Sequence, residues 1–494
     1  SLTEALMESF KLYIDGRFDA GSATFDSINP ASGEPWAQVA EARAQDVDRA
    51  VAAAHRAFQG AEWRDMTAGA RGKLLLRLAD LLEQHAPELA RLETLDTGKI
   101  IRETQAQIAY VAEYYRYYAG LADKMEGSVL AIDKADMETW VRREPIGVVA
   151  AIVPWNSQLF LAAVKIGPAI AAGCTLVVKA AETAPAPLLA FARLIDEAGF
   201  PRGVCNVITG FAAECGAVLT AHPQVDHIAF TGGAETAKHI VRGSAENLAS
   251  TSLELGGKSP FIVFDDADLT SAANAQVAAI FAASGQSCVA GSRLLVAESI
   301  KDMFLARLTE KVRSIRIGPP DRPDTQFGPL CTRQQQERIA AIVSRSLEQG
   351  AKLVIGHAAI DSPGFYYPPT IVDCSAQPDA ECVKQELFGP VLSVLTFRDE
   401  AEAIQLANDS AYGLAAGIFT QNLTRAHRVT RRLRVGVVWL NTYRAVSPLA
   451  PFGGYGQSGF GREGGIDAAL QYTTSKTVWL RTSDDPIDDP FVMR

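Results

Sequence analysis

The chain has 494 residues and a formal net charge of -10, with 48% hydrophobic and 21% charged residues. Such a length suits about three globular domains of roughly 150 residues each, and the composition excludes the disordered and membrane classes. Carboxylates outnumber the basic side chains, so nucleic acid and anionic membrane are poor candidates and the expected ligands are small molecules.

Residues 1–11 lack a basic start and an apolar core, so no signal peptide is expected. Leu12-Tyr13-Ile14-Asp15-Gly16-Arg17-Phe18 sets two short apolar runs around Asp-Gly, the strongest local hairpin signal. Asp46 is read as the cap of a helix whose apolar positions Val47, Ala50, Val51, Ala54 and Phe58 follow helical spacing. Residues 74–82 and 89–95 continue that character up to Gly98, a helix stop. This region reads as helical packing with no chemistry of its own. Residues 128–132 and 138–142 predict a hairpin turning through Asp133-Lys134-Ala135-Asp136, and such a hairpin is marginal without a partner.

From Val148 the pattern changes to short apolar runs, at 148–153, 175–179, 204–209 and 227–231, alternating with helical segments. Runs that are apolar on both faces predict an α/β fold with a doubly wound parallel sheet. Ligands of such sheets lie at the carboxyl ends of the strands, where Asn156, Lys179, Glu182, Gly210, Thr231 and Gly232 fall. A second α/β region follows Gly256-Gly257-Lys258, with a strand at 260–264 and a helix from about Leu269, and runs to about Gly465. A further strand is expected at 477–480, before a Pro- and Asp-rich tail. No apolar run is long enough for a membrane span: 146–153 is followed by Pro154, Asn156, Ser157, Gln158 and Lys165.

Ser284-Gly285-Gln286-Ser287-Cys288-Val289-Ala290-Gly291 places one cysteine among small residues, with room for a carbonyl group beside its sulfur. Such a thiol is either a nucleophile or a core cysteine. The seven cysteines form no CxxC pair, which fits a reducing cytoplasm, and no HExxH or Cys/His cluster predicts a metal site. Two GxGxxG strings, Gly454-Gly456-Gly459 and Gly459-Gly461-Gly464, lie too near the C-terminus to open a dinucleotide-binding βαβ unit.

Four separated motifs, Pro154-Trp155-Asn156, Leu253-Glu254-Leu255-Gly256-Gly257-Lys258, Gly285-Gln286-Ser287-Cys288 and Glu386-Leu387-Phe388-Gly389-Pro390, resemble the aldehyde dehydrogenase superfamily in order and approximate spacing. The resemblance covers nearly the whole chain. It implies an NAD-binding domain from 1–124 and 146–256, a catalytic domain from 257–465, and an oligomerisation arm from 125–145 and 466–494, in a homodimer or homotetramer. It also implies that Cys288 attacks an aldehyde, that Asn156 and the Cys288 N–H hold the oxyanion, and that Glu254 activates water against the resulting thioester. For the cofactor it implies Lys179, Glu182, Trp155, Gly210, Thr231, Gly232, Gly233, Leu255, Glu386 and Phe388. Glu182 after the second strand favours NAD, because a carboxylate repels the 2'-phosphate of NADP. Ala180, Gly233 and Ala237 depart from the pattern of relatives there.

For the substrate the resemblance points to Ser157, Leu161 and Val164 along the aldehyde tunnel. Relatives often carry aromatic residues at 157 and 164, so a wider tunnel that accepts bulky aldehydes is expected. Arg444 stands near the tunnel mouth, where it would pair with the carboxylate of a semialdehyde or serve as an exposed or interface arginine. Two other functions use the same residues: a cofactor-independent thiol esterase, and a non-catalytic binding protein on the same scaffold.

Overall fold

The computed structural model describes residues 7–492; residues 1–6, part of the segment read above for a signal peptide, and 493–494, the end of the Pro- and Asp-rich tail, lie outside it. Its frame is two sheets. The first has eight strands in the order Gly459–Phe460, Ser250–Glu254, His227–Thr231, Val148–Val153, Thr175–Ala180, Cys205–Thr209, Leu12–Ile14 and Arg17–Asp19. Its five inner strands are parallel, while the outer pairings at both edges are antiparallel. The chain enters this parallel core at Val148–Val153, builds outward through 175–180 and 205–209, then returns to the other side of its starting strand with 227–231. The order of strands therefore reverses beside Val148–Val153, and Asn156 follows immediately, at the switch point where open α/β sheets bind ligands.

The second sheet has seven strands in the order Lys352–Ile355, Thr370–Asp373, Val391–Phe397, Arg293–Ala297, Pro260–Val263, Ala415–Phe419 and Val437–Leu440, parallel except at the first edge. Both sheets are buried on both faces by helices, as their apolar runs demand. The predicted hairpin at 128–142 pairs as Ser128–Leu130 with Met137–Pro145. Its partner is the C-terminal strand Thr473–Arg481, antiparallel to 137–145 over nine residue pairs. Val129, Leu130, Trp479 and Leu480 remain exposed on this outlying sheet. Among the described residues no helix is long and apolar enough to cross a membrane.

Local chemistry follows the sequence with one correction. The Asp15-Gly16 turn has positive φ at both residues, the geometry of a tight hairpin, and Gly98 closes the helix Ala68–Thr97 in the left-handed region. Asp46, however, is not the cap of the helix Ala44–Gln59. The cap position is Arg43, and Asp46, three residues later, reaches back to accept its backbone N–H at 2.9 Å. That is the reciprocal half of a capping box, which satisfies an orphan donor from inside the helix.

A buried arginine joins the two ends of the catalytic region. Arg293 donates from Nε to the Lys258 carbonyl and from its two Nη atoms to the carbonyls of Leu406 and Ala407, each at 2.8 Å. It thereby caps the helix Glu400–Asn408 and fixes the strand that follows Cys288 against the Gly256-Gly257-Lys258 turn. Arg293→Met removes one donor from each of three carbonyls, of which Leu406 keeps the Asp409 N–H; at about 1–3 kcal/mol for an unsatisfied buried group, the urea unfolding midpoint falls clearly, and Arg293→Lys recovers only part of the loss.

Candidate active site

Cys288 sits on a segment whose backbone is forced. Ala283, Ser284 and Gly285 have φ of 52°, 54° and 75°, three consecutive left-handed residues. Gly285 has no substitute, because a Cβ there would meet the Gly389 carbonyl at 2.2 Å. The turn is held from several directions. The Ala283 N–H donates to the Glu103 carboxylate at 3.0 and 3.2 Å, Ser284 Oγ donates to the Gly328 carbonyl, and Gln286 Oε1 accepts the Cys331 N–H. Asn156 Nδ2 donates to the Gln286 carbonyl at 3.1 Å, so the first sheet's switch point is tied directly to the cysteine segment.

Cys288 lines a cavity of about 560 Å³ together with Asn156, Ser157, Leu161, Val164 and Arg444. Tyr110, Tyr114, Phe160, Trp439 and Phe452 also line it. The volume exceeds what a two-carbon aldehyde needs, but positions 157 and 164 alone do not set it. Lys99, just past the Gly98 helix stop, and Glu103, Gln107, Tyr110 and Tyr114 of the helix Ile101–Leu121, a stretch to which the sequence reading assigned no role, add to this wall.

Arg444 is partly buried rather than exposed. It donates to Ser287 Oγ at 3.2 Å and to the Ala279 carbonyl at 2.9 Å, while its buried Nε has no hydrogen-bond partner among the described residues. Burial lowers its pKa, opposed by Tyr443 and Glu103.

Glu254 ends the strand Ser250–Glu254, and both of its carboxylate oxygens are buried without a hydrogen-bond partner. Burial first, and then the charge of Glu463, raises its pKa well above the ordinary carboxylate range. Lys165 opposes that rise; its Nζ donates to Glu463 and, at 2.6 Å, to Thr231 Oγ. Residues 288 and 254, far apart in the chain, are electrostatic neighbours. The Cys288 thiol is pushed up to about 12 by burial, then by Glu386 and Glu254, with Arg444 opposing. A thiol so placed needs a base to ionise it.

Of the cofactor candidates, Glu386 is near enough to raise the Cys288 pKa. Gly257 N–H donates to Glu386 Oε1 at 3.1 Å, and a Cβ on Gly256 would lie 2.0 Å from Glu386 Oε2, so the glycine makes room for this carboxylate. Burial raises Glu386 to about 7. The Phe388 ring meets Trp155 edge to face at 5.5 Å. Lys179 is buried at the end of its strand and reaches Glu182 at 3.4 Å. Gly233 opens the helix Ala234–Ser244 with nothing near its Cα hydrogens, leaving the helix N-terminus open to a phosphate.

The Thr231 hydroxyl is engaged by Lys165, and Gly210 packs so closely that a Cβ would meet the Ala42 carbonyl at 2.3 Å. Gly232 and Leu255 use their backbone N–H groups to join Glu254 and Ser458. A buried carboxylate at Glu386, a lysine beside a carboxylate at Lys179 and Glu182, and an open helix start at Gly233 are the chemical groups a dinucleotide needs.

Sequence reading missed Glu103, Lys99, Gln107 and the Lys165–Glu463 pair. One signal was available: Lys165 is a lone charge in the otherwise apolar run Gln158–Ala172, and a fully buried lysine requires a partner.

Residues 18–478 match the aldehyde dehydrogenase family. The chain is 70% identical, over 99% of its length and all of the other's, to (Z)-2-((N-methylformamido)methylene)-5-hydroxybutyrolactone dehydrogenase of Acinetobacter baylyi. It is 43% identical to the betaine aldehyde dehydrogenase of Bacillus subtilis, over 95% of this chain and 97% of that one. Among solved structures, betaine aldehyde dehydrogenase from Staphylococcus aureus in complex with NAD+ superposes with a TM-score of 0.95 at 40% identity, covering 97% and 96% of the two chains. On this agreement of site geometry, sequence and fold, the chain belongs to the aldehyde dehydrogenase family.

Proposed function

We propose that this chain, an NAD-dependent aldehyde dehydrogenase, oxidises an aldehyde that carries a carboxylate, in open or ring-closed form, to the corresponding acid. The observation that carries the substrate class is Arg444, a guanidinium on the wall of the Cys288 cavity with a buried, unpartnered Nε. A fixed cation without a full set of acceptors selects a planar anion. The Acinetobacter relative supports the same class, since a 5-hydroxybutyrolactone is the ring-closed form of a 4-oxobutanoate, an aldehyde and a carboxylate on one short chain.

In this reading Cys288 Sγ adds to the aldehyde carbon, and its proton passes to a base, for which the raised pKa of Glu254 is suited. Asn156 Nδ2–H and the Cys288 N–H take the oxyanion. NAD+, when bound, supplies the acceptor for the hydride, and Lys179, Glu182, Trp155, Gly233, Glu386 and Phe388 are the residues that would hold it. Cys288 then carries an acyl thioester. Glu254, having given the thiol's proton up to solvent, removes a proton from water, the hydroxyl adds to the acyl carbon, and the C–S bond breaks to release the acid and a thiolate, to which Glu254 returns the proton. A cofactor-free esterase would have no use for Glu386 or Lys179 as ribose-binding groups.

We further assign 1–124 with 146–256 to cofactor binding, 257–465 to catalysis, and 125–145 with 466–494 to assembly of a homodimer or homotetramer. Exposed Val129, Leu130, Trp479 and Leu480 on the outlying sheet favour a second copy as partner. The cysteines, none in a disulfide among the described residues, suit the cytoplasm.

Three outcomes test this reading. Followed by NADH absorbance, the enzyme prefers 4-oxobutanoate to hexanal, and Arg444→Met lowers that ratio of kcat/KM by about tenfold or more. Because damage to the cysteine segment lowers both rates together, an unchanged ratio removes the carboxylate reading. Glu254→Gln slows steady-state turnover by about a hundredfold or more, with acyl-enzyme detectable by mass spectrometry on Cys288. Finally, Glu386, raised to about 7, accepts ribose hydroxyls best when ionised; NAD+ therefore binds more tightly as pH rises through about 7, and Glu386→Gln loses that dependence.

A further inference from the structure

Ser157, which follows Asn156 directly, lines the substrate cavity at the start of the helix Gln158–Ala172. Its hydroxyl is not an ordinary helix cap, for it makes no cap hydrogen bond. Instead its oxygen accepts from Lys99 Nζ at 2.9 Å and from Gln107 Nε2 at 3.3 Å.

The direction of these bonds is fixed by chemistry. Lys99 can only donate, and its three protons go to Glu93 Oε1, Gln107 Oε1 and Ser157 Oγ at 3.0, 3.0 and 2.9 Å. Because Gln107 must present its carbonyl oxygen to Lys99, its amide nitrogen faces Ser157. A serine hydroxyl has two acceptor lone pairs and one proton. Both lone pairs are taken, so the proton is directed away from Lys99 and Gln107. The Lys99 charge is matched by Glu93 behind it, which leaves a neutral donor rather than a second anion site.

We propose that Ser157 is a specificity-determining residue: its hydroxyl, locked as a donor by Lys99 and Gln107, binds a carbonyl oxygen of the substrate distinct from the reacting aldehyde. The proposal rests on the aldehyde dehydrogenase reading and deepens it. It adds a second, uncharged acceptor to the substrate beside the carboxylate assigned to Arg444. Lys99 and Gln107 are positioning residues that act through Ser157.

The test uses a neutral pair of substrates of equal chain length, methyl 4-oxobutanoate, which carries an ester carbonyl, and hexanal, which carries none. In Ser157→Ala the ratio of kcat/KM for the ester over hexanal falls by about tenfold, mainly through KM, as expected when a site loses one hydrogen bond to its substrate. Ser157→Thr, which keeps the hydroxyl, restores the ratio, and Gln107→Leu lowers it in the same direction. A ratio within about twofold of wild type in Ser157→Ala overturns the proposal, and so does a parallel fall for both aldehydes, which marks a structural role. Since neither aldehyde is charged, a failure of the Arg444 carboxylate reading leaves this ratio unaffected, and the two ideas fail separately.

Discussion

The site depends on one strained turn. Placing an L-residue in the left-handed region costs about 1–2 kcal/mol, and Ala283 and Ser284 both occupy it before Gly285 completes the turn. Such strain persists only where the surroundings over-determine it. Here the Glu103 carboxylate binds the Ala283 N–H from the helix Ile101–Leu121, the Gly328 carbonyl takes the Ser284 hydroxyl, and Gly389 closes over Gly285. These anchors come from both halves of the molecule, so the cysteine segment is placed by the packing of the two sheet units against each other. Burial raises the pKa of Glu103, and Lys99 and Arg444 oppose that rise, which binds the turn to the same charges that line the cavity.

Around this turn the electrostatics are acid-rich. Glu254, Glu386 and Glu463 all raise the Cys288 pKa, and burial raises Glu254 and Glu386 in turn. The upward displacement of Glu254 makes it a stronger base, which favours proton transfer to it from the thiol or from water. On the substrate side the cations are matched: Lys99 by Glu93, Arg444 by the Coulombic reach of Glu103, and Lys165 by Glu463. What faces the cavity is thus mostly apolar, interrupted by a few fixed donors, the pattern of a small-molecule site that orients its ligand.

Much of this was legible in the sequence. Asp15-Gly16, Gly98 and the apolar runs from Val148 onward report backbone requirements that are local, and each formed as read. Asp46 was legible as a helix-start residue but not as the inner member of the pair, because a carboxylate three residues inside can reach back to the cap N–H as readily as a cap can reach forward. The motifs around Asn156, Glu254, Cys288 and Glu386 were visible as strings; the fold sets Asn156 and Cys288 on one cavity and brings the charges of Glu254 and Glu386 to bear on the thiol. Glu103 and Gln107 were not visible, since on a helix that buries its apolar stripe a polar residue reads as solvent-facing until the neighbouring unit covers it, and Lys99, in the short connection before that helix, reads as a loop lysine for the same reason.

By itself, then, the sequence determined the two α/β units, the order of the parallel strands' apolar runs, and the chemical types available at the nucleophile, the base and the amide donor, because these follow from residue identity and short-range periodicity. Only the tertiary structure decided which charges are paired, how the Cys288 segment is strained, that Arg444 lies inside the cavity and that Ser157 must donate. Those properties depend on burial and on contacts between residues separated by fifty to several hundred positions, such as Lys99 with Ser157 and Arg444 with Ser287. Nothing local in the chain encodes them.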